Sequence, residues 1–100
     1  MAERKIRWTR RALQGKMAIM EYWFRELGTV DYSLKLEALF TSTLETLANL
    51  PKMGPLFDEK RNIRYVVVRD YKIYYTFNDK QIEFLQSGIQ EETTKHLPFK

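Results

Sequence analysis

Cysteine is missing from this chain, and histidine occurs once. The first absence excludes disulfides, thiolate metal sites and cysteine nucleophiles. The second leaves too few imidazoles for a zinc site. Glycine is sparse, at four residues, and none of the four belongs to a Gly-rich loop of the kind that cradles nucleotide phosphates. No pair of acids has a recognisable catalytic spacing. No stretch approaches the roughly 20 apolar residues of a membrane span. The opening Met-Ala-Glu-Arg-Lys-Ile-Arg-Trp holds no apolar run of signal-peptide length. These absences lead to the expectation of a cytoplasmic protein with no metal, no cofactor and no membrane partner.

What is present describes an ordinary globular domain. The 100 residues fit one domain spanning 1–100. Hydrophobic residues make up 44% and charged residues 30%, with six Tyr, six Phe and two Trp to fill a core. Lys and Arg number 17 against 13 Asp and Glu, a net charge of +4. A basic balance suits nucleic acid, a ribosome or an acidic protein partner without choosing among them.

Hydrophobic periodicity divides the chain. Lys5 to Thr9 alternates polar and apolar and predicts a short strand, with Thr9 as the N-cap of a following helix. Leu13, Met17, Met20, Phe24 and Leu27 recur at spacings of three and four, with Ala12, Ile19 and Trp23 widening the stripe. This predicts a helix over Arg10–Leu27, ended by Gly28. Asp31 is the expected cap of a second helix. Leu36, Leu39, Phe40, Thr43, Leu47 and Leu50 run along its face as far as Pro51, which stops it. The short link implies an antiparallel helix pair. Pro51 to Asn62 reads as an ordered loop. The period then falls to two. Strands are expected over Ile63–Arg69, Tyr71–Asn78 and Gln81–Ser87, with a turn at Asn78-Asp79-Lys80. The tail from residue 88 to 100 is polar and expected to be partly flexible. The predicted fold is two-layer α+β: strand, helix, helix, then a three-stranded antiparallel meander.

This order of elements resembles the RelE/ParE toxin superfamily of bacterial toxin–antitoxin systems. Ile6-Arg7-Trp8-Thr9 with Ala12 is similar to the family's opening strand and helix start. Leu47 through Leu50-Pro51, with Gly54, resembles its helix end and loop. Ile63-Arg64-Tyr65-Val66-Val67-Val68 followed by Tyr71-Lys72-Ile73-Tyr74-Tyr75 resembles its central hairpin, and Ile82-Glu83-Phe84-Leu85 its last strand. The resemblance implies a toxin held inactive by a cognate antitoxin, with operator DNA bound only through the pair. RelE-like members are metal-free, ribosome-dependent mRNA endoribonucleases. ParE-like members inhibit DNA gyrase without chemistry. A degenerate, non-toxic member is the third reading.

For the nuclease reading, a 2′-hydroxyl nucleophile, a cation for the charged transition state and an acid for the leaving oxygen are needed. The resemblance nominates Arg64, Lys72 and His96 for these roles. Arg7, Arg10, Arg11 and Arg61 are the candidate nucleic-acid contacts. Two departures thin the site. Ser87-Gly88-Ile89-Gln90 stands where nuclease members carry an Arg, and Val66 where some carry a second Lys. Other readings of the same residues are structural: Arg64 paired with Glu37 or Glu45, Lys72 solvated, His96 idle in the tail. Tyr65, Tyr71, Tyr74 and Tyr75 either stack on bases or fill the core. The hairpin loop decides one point. A two-residue turn at Arg69-Asp70 sets Lys72 opposite Val67, on the face away from Arg64. A three-residue loop or a bulge puts both on one face, and the nuclease reading, built on that pair, needs this second arrangement. The exposed sheet edge and the groove between the helices are the expected antitoxin surfaces.

Overall fold

A computed structural model describes residues 4–89. Strand β1 covers Lys5–Trp8, helix α1 Arg10–Leu27, helix α2 Asp31–Asn49, and strands β2 to β5 cover Leu56–Asp58, Ile63–Val68, Tyr71–Phe77 and Gln81–Ile89. The sheet has five strands in the order β1-β5-β4-β3-β2. Its centre is the expected antiparallel meander. The additions lie at the edges. β1 joins β5 in parallel, pairing Ile6 with Ile82 and Trp8 with Phe84. β2 joins β3 antiparallel, inside the segment expected to be a loop. Three residues are too few to show alternation, which is why the strand was invisible to pattern reading. A short 3-10 turn, Pro51–Met53, occupies the start of the same segment. The last strand runs through Ile89 rather than ending at Ser87. The rest of the expected flexible tail lies outside the described residues.

Helix α1 starts and stops where its capping residues dictate. Thr9 is extended, and its hydroxyl accepts the Ala12 amide proton at 3.1 Å. The same hydroxyl donates toward the Phe84 and Leu85 carbonyls at 2.8 and 3.1 Å, tying the helix start to β5. Gly28 ends the helix with φ at 73°, a conformation costly to a residue with a Cβ. For α2 the expected cap shifts by one residue. Val30 holds the cap position without a side-chain bond, and Asp31 is the first helical residue, where its charge still favours the positive end of the helix dipole. Ser33 Oγ donates to the Met20 carbonyl at 2.8 Å, and Lys16 meets Glu37 at 2.8 Å. These two links confirm antiparallel helices.

The core lies between the helix pair and one sheet face. Ile19, Leu36, Phe40 and Leu47 from the helices meet Ile73, Tyr75, Ile82 and Phe84 from the sheet, all fully buried. Each such side chain contributes about 1.5–3 kcal/mol on leaving water. The apolar stripe of α1 divides unexpectedly. Ala12 and Ile19 are buried, with Trp23 and Met20 packed beside them, whereas Leu13, Met17, Phe24 and Leu27 are 41, 60, 49 and 52% exposed. Apolar residues cover more of this helix than the sheet can take, and periodicity alone does not say which part faces inward. On α2, Leu50 likewise escapes the core at 60% exposed.

Gly15 lets α1 approach β5. A Cβ there would collide with the Ser87 carbonyl and sit 2.8 Å from Ser87 Oγ, which itself donates to the Ala12 carbonyl at 2.7 Å. Gly15→Ala is expected to lower stability by about 1–3 kcal/mol through overpacking, despite alanine's better helix propensity. Chemical denaturation of the two proteins measures it; an unchanged or stabilised variant would show that the helix can lift off at no cost.

Candidate nucleic-acid interface

The β3–β4 hairpin distributes the candidate residues. Val68 pairs with Tyr71 and Val67 with Lys72, so Arg69-Asp70 is a two-residue turn. Arg69 takes a left-handed backbone, φ 59°. Side chains alternate along each strand. Arg64, Val66 and Val68 therefore share the helix-facing side with Tyr71, Ile73 and Tyr75. Tyr65 and Val67 share the open face with Lys72 and Tyr74. Arg64 and Lys72 lie on opposite faces, so the arrangement that the nuclease reading needed of this pair is not adopted.

Arg64 has a different set of partners from the glutamates considered for it. Its guanidinium donates to the Gly54 carbonyl at 2.7 Å and to the Lys52 carbonyl at 3.4 Å. Its Nε is buried without a hydrogen-bond partner. Tyr75 completes the anchor. Its hydroxyl donates to the Pro51 carbonyl at 2.6 Å and accepts the Gly54 amide proton at 3.1 Å. The loop after α2 is thus held to the sheet by one arginine and one tyrosine. Gly54 permits the approach, since a Cβ there would strike the Tyr65 carbonyl and lie 2.7 Å from the Tyr75 hydroxyl. Burial pushes the Tyr75 phenol above the ordinary value of 10.0, with the Gly54 bond and nearby Arg64 opposing. Tyr71 is raised as well, chiefly by burial, while the 2.5 Å bond from Trp23 Nε1 opposes the shift.

The open face carries a different chemistry. A cleft of about 460 Å³ is lined by Arg11, Phe57, Arg61, Tyr74, Leu85 and Gln86, among others. Phe57 of β2 meets Tyr74 edge-on at 4.8 Å, and Tyr65 lies 6.1 Å from Tyr74. Lys72 Nζ sits 4.7 Å above the Tyr65 ring, a cation–π contact. A bulge shapes the cleft: Tyr74 pairs with Gln86 and Tyr75 with Phe84, leaving Leu85 as the extra residue. Bulges of this kind re-aim side chains and recur beside functional sites. Arg61 is 78% exposed and holds Asp58 at 2.9 Å. Arg7 pairs with Glu83 at 3.2 Å on the neighbouring strands, so part of its charge is already used. Arg10 is exposed in the first turn of α1. The structure therefore places Arg11 and Arg61 on one cleft, sets Lys72 over the Tyr65 ring on the same sheet face, and leaves Arg64 on the other side of the sheet. His96 lies outside the described residues. Phe57 and Gln86 were missed, because the strand that carries one and the bulge that turns the other have no sequence signature. Among the described residues no three His, Asp or Glu are grouped to hold a metal, and no helix is long and apolar enough to cross a membrane.

This architecture matches a solved structure over nearly all its length. A chain described as the chromosomal ParDE TA system from P. aeruginosa superposes with a TM-score of 0.73 at 18% identity, covering 89% of this chain and 98% of that one. The fold is RelE/ParE-like. YafQ from E. coli strain BL21(DE3) also matches, at 18% identity over 90% of this chain and 97% of that one, with a TM-score of 0.48. No protein-family model matches the chain, and no curated protein matches it. At these identities the likeness is one of fold.

Tyr75→Phe is expected to cost about 1–3 kcal/mol at neutral pH, because the Gly54 amide and the Pro51 carbonyl lose a buried partner. The sign with pH follows from the raised phenol. The stability that Tyr75 lends is whole below the unfolded-state value and is lost as pH rises through the higher folded-state value. Denaturation series at neutral and strongly alkaline pH should therefore show the gap between wild type and variant closing at high pH. A gap that widens there contradicts this role.

Proposed function

We propose that this chain is the toxin of a type II toxin–antitoxin pair acting in the cytoplasm, and that it cuts ribosome-bound mRNA with the open face of its sheet. The observation that carries the reading is the open face, where Arg11 and Arg61 line a cleft with Phe57 and Tyr74, and Tyr65, with Lys72 above its ring, lies next to Tyr74. Aromatic faces stack on unpaired bases, and cations hold the intervening phosphates. In the proposed reaction the 2′-oxygen attacks the adjacent phosphorus, the bond to the 5′-oxygen breaks, and a proton passes from the first oxygen to the second. Lys72, with Arg61, stabilises the negative charge that builds on the phosphoryl oxygens. Arg64 holds the loop after α2 and acts on stability rather than on the phosphate. The fold shared with a chain of a ParDE system supports the toxin reading.

The exposed half of the α1 stripe supports an antitoxin. Leu13, Met17, Phe24 and Leu27 continue into Val30 and Leu34, which are 48 and 61% exposed. An apolar row at helical spacing on the surface fits an amphipathic helix laid along it.

A second reading, a gyrase inhibitor without chemistry, is favoured by the inward position of Arg64 and by the uncharged Ser87-Gly88-Ile89 at the end of β5.

The deciding experiment is a purified bacterial translation reaction with mapped mRNA 5′ ends. Cuts inside the A-site codon are expected, falling by about 10²-fold or more in Lys72→Ala if that cation stabilises the transition state. Arg64→Ala should instead lower the unfolding midpoint. Intact mRNA together with blocked supercoiling by purified gyrase would establish the second reading. In cells co-expressing the antitoxin, Phe24→Glu is expected to restore toxicity with stability unchanged, because Phe24 is exposed; continued neutralisation would move the docking site elsewhere.

A further inference from the structure

A second apolar cleft opens at the end of the domain, where α2 gives way to the 3-10 turn. It encloses about 540 Å³ between Leu50, Pro51 and Met53 on one side and Phe77 on the other, with Arg4 and Lys52 on its margin. It shares no lining residue with the sheet cleft or with the exposed row on α1. Leu50 and Met53 are 60 and 49% exposed. Pro51 ends the helix and turns the chain, which presents both side chains to solvent instead of folding them onto the sheet. Two large apolar side chains and a half-buried ring at one point form a patch that water covers at a cost.

The margin is basic. Arg4 stacks its guanidinium 5.4 Å above the Phe77 ring. It donates from Nε to the Asn78 carbonyl at 2.6 Å and from one terminal nitrogen to the Ala48 carbonyl at 3.4 Å. A guanidinium has five donor hydrogens, so donors remain after these bonds while the group is held rigid. Lys52 is exposed beside it. Among the described residues no Asp or Glu lines the cleft.

We infer that this cleft is a docking site for a peptide segment of a partner protein that presents a leucine- or phenylalanine-sized side chain flanked by carboxylates. The apolar walls take the side chain. Arg4 and Lys52 take the acids, which a neutral or basic segment would leave unpaired. The walls stand out into solvent, so a chain laid across them buries more of Leu50 and Met53 than a compact small molecule would.

The test uses the full-length protein labelled with 15N and the peptide acetyl-Asp-Leu-Glu-Phe-Asp-amide, with acetyl-Lys-Leu-Lys-Phe-Lys-amide as its charge-reversed counterpart. Saturable amide shifts are expected at Asn49, Leu50, Lys52, Met53 and Phe77 with the acidic peptide and not with the basic one. Lys52→Glu should weaken binding by about tenfold or more, because it replaces attraction by like-charge repulsion. Leu50→Ser should weaken it with the fold unchanged, since Leu50 is exposed. No shift at millimolar peptide, equal binding of the basic peptide, or shifts confined to the sheet cleft would each overturn the inference. None of these results depends on whether the protein is a toxin.

Discussion

The two-residue turn at Arg69-Asp70 governs the chemistry of the whole sheet. With side chains alternating strictly, one residue more in that loop would exchange the faces of β3 relative to β4. As built, every large aliphatic or aromatic side chain of β4 that the helices need points toward them, and Tyr74 and Lys72 point away. The turn is made possible by Arg69 accepting a left-handed backbone. Core and interface are thus consequences of one register, and neither can be altered by sliding the strand without destroying the other.

The same register gives Arg64 its role. On the helix-facing side Arg64 is half-buried, and it bonds to protein carbonyls. Those carbonyls belong to the loop after α2 and take one terminal nitrogen, with Tyr75 bonded to the same loop beside it. The outcome is a clamp that closes the sandwich at its β2 end. The residue nominated from resemblance thus faces the loop after α2 because of the direction of its Cα–Cβ bond.

Much of the architecture was legible in the sequence, and the reasons are local. Thr9, Gly28 and Pro51 each limit a helix by a property of their own backbone or side chain. The alternation of Tyr71, Ile73 and Tyr75 marks a half-buried strand without reference to anything distant. What was illegible depends on partners far away. The pairing of β1 with β5 and the existence of β2 are set by the sheet they join. The inward half of the α1 stripe is chosen by the width of that sheet, so Ile19 is buried and Met17 is not. Of the candidate site, Arg11, Arg61 and Lys72 could be named from sequence, whereas Phe57 and the bulge at Leu85 arise only from assembly.

The parallel pairing of the first strand with the last has a temporal meaning. Thr9 and Phe84 are bonded across 75 positions of chain. During synthesis β1 leaves the ribosome before β5 and has no strand neighbour until β5 emerges. The helix pair and the β3–β4 hairpin can form on the way, but the sheet gains its β1 edge only once β5 has been made. Until then the Thr9 hydroxyl lacks its carbonyl partners on β5, and the start of α1 is untethered. Because Arg11 stands in that first turn, the cleft it shares with Arg61 is completed only after β5 has joined the sheet.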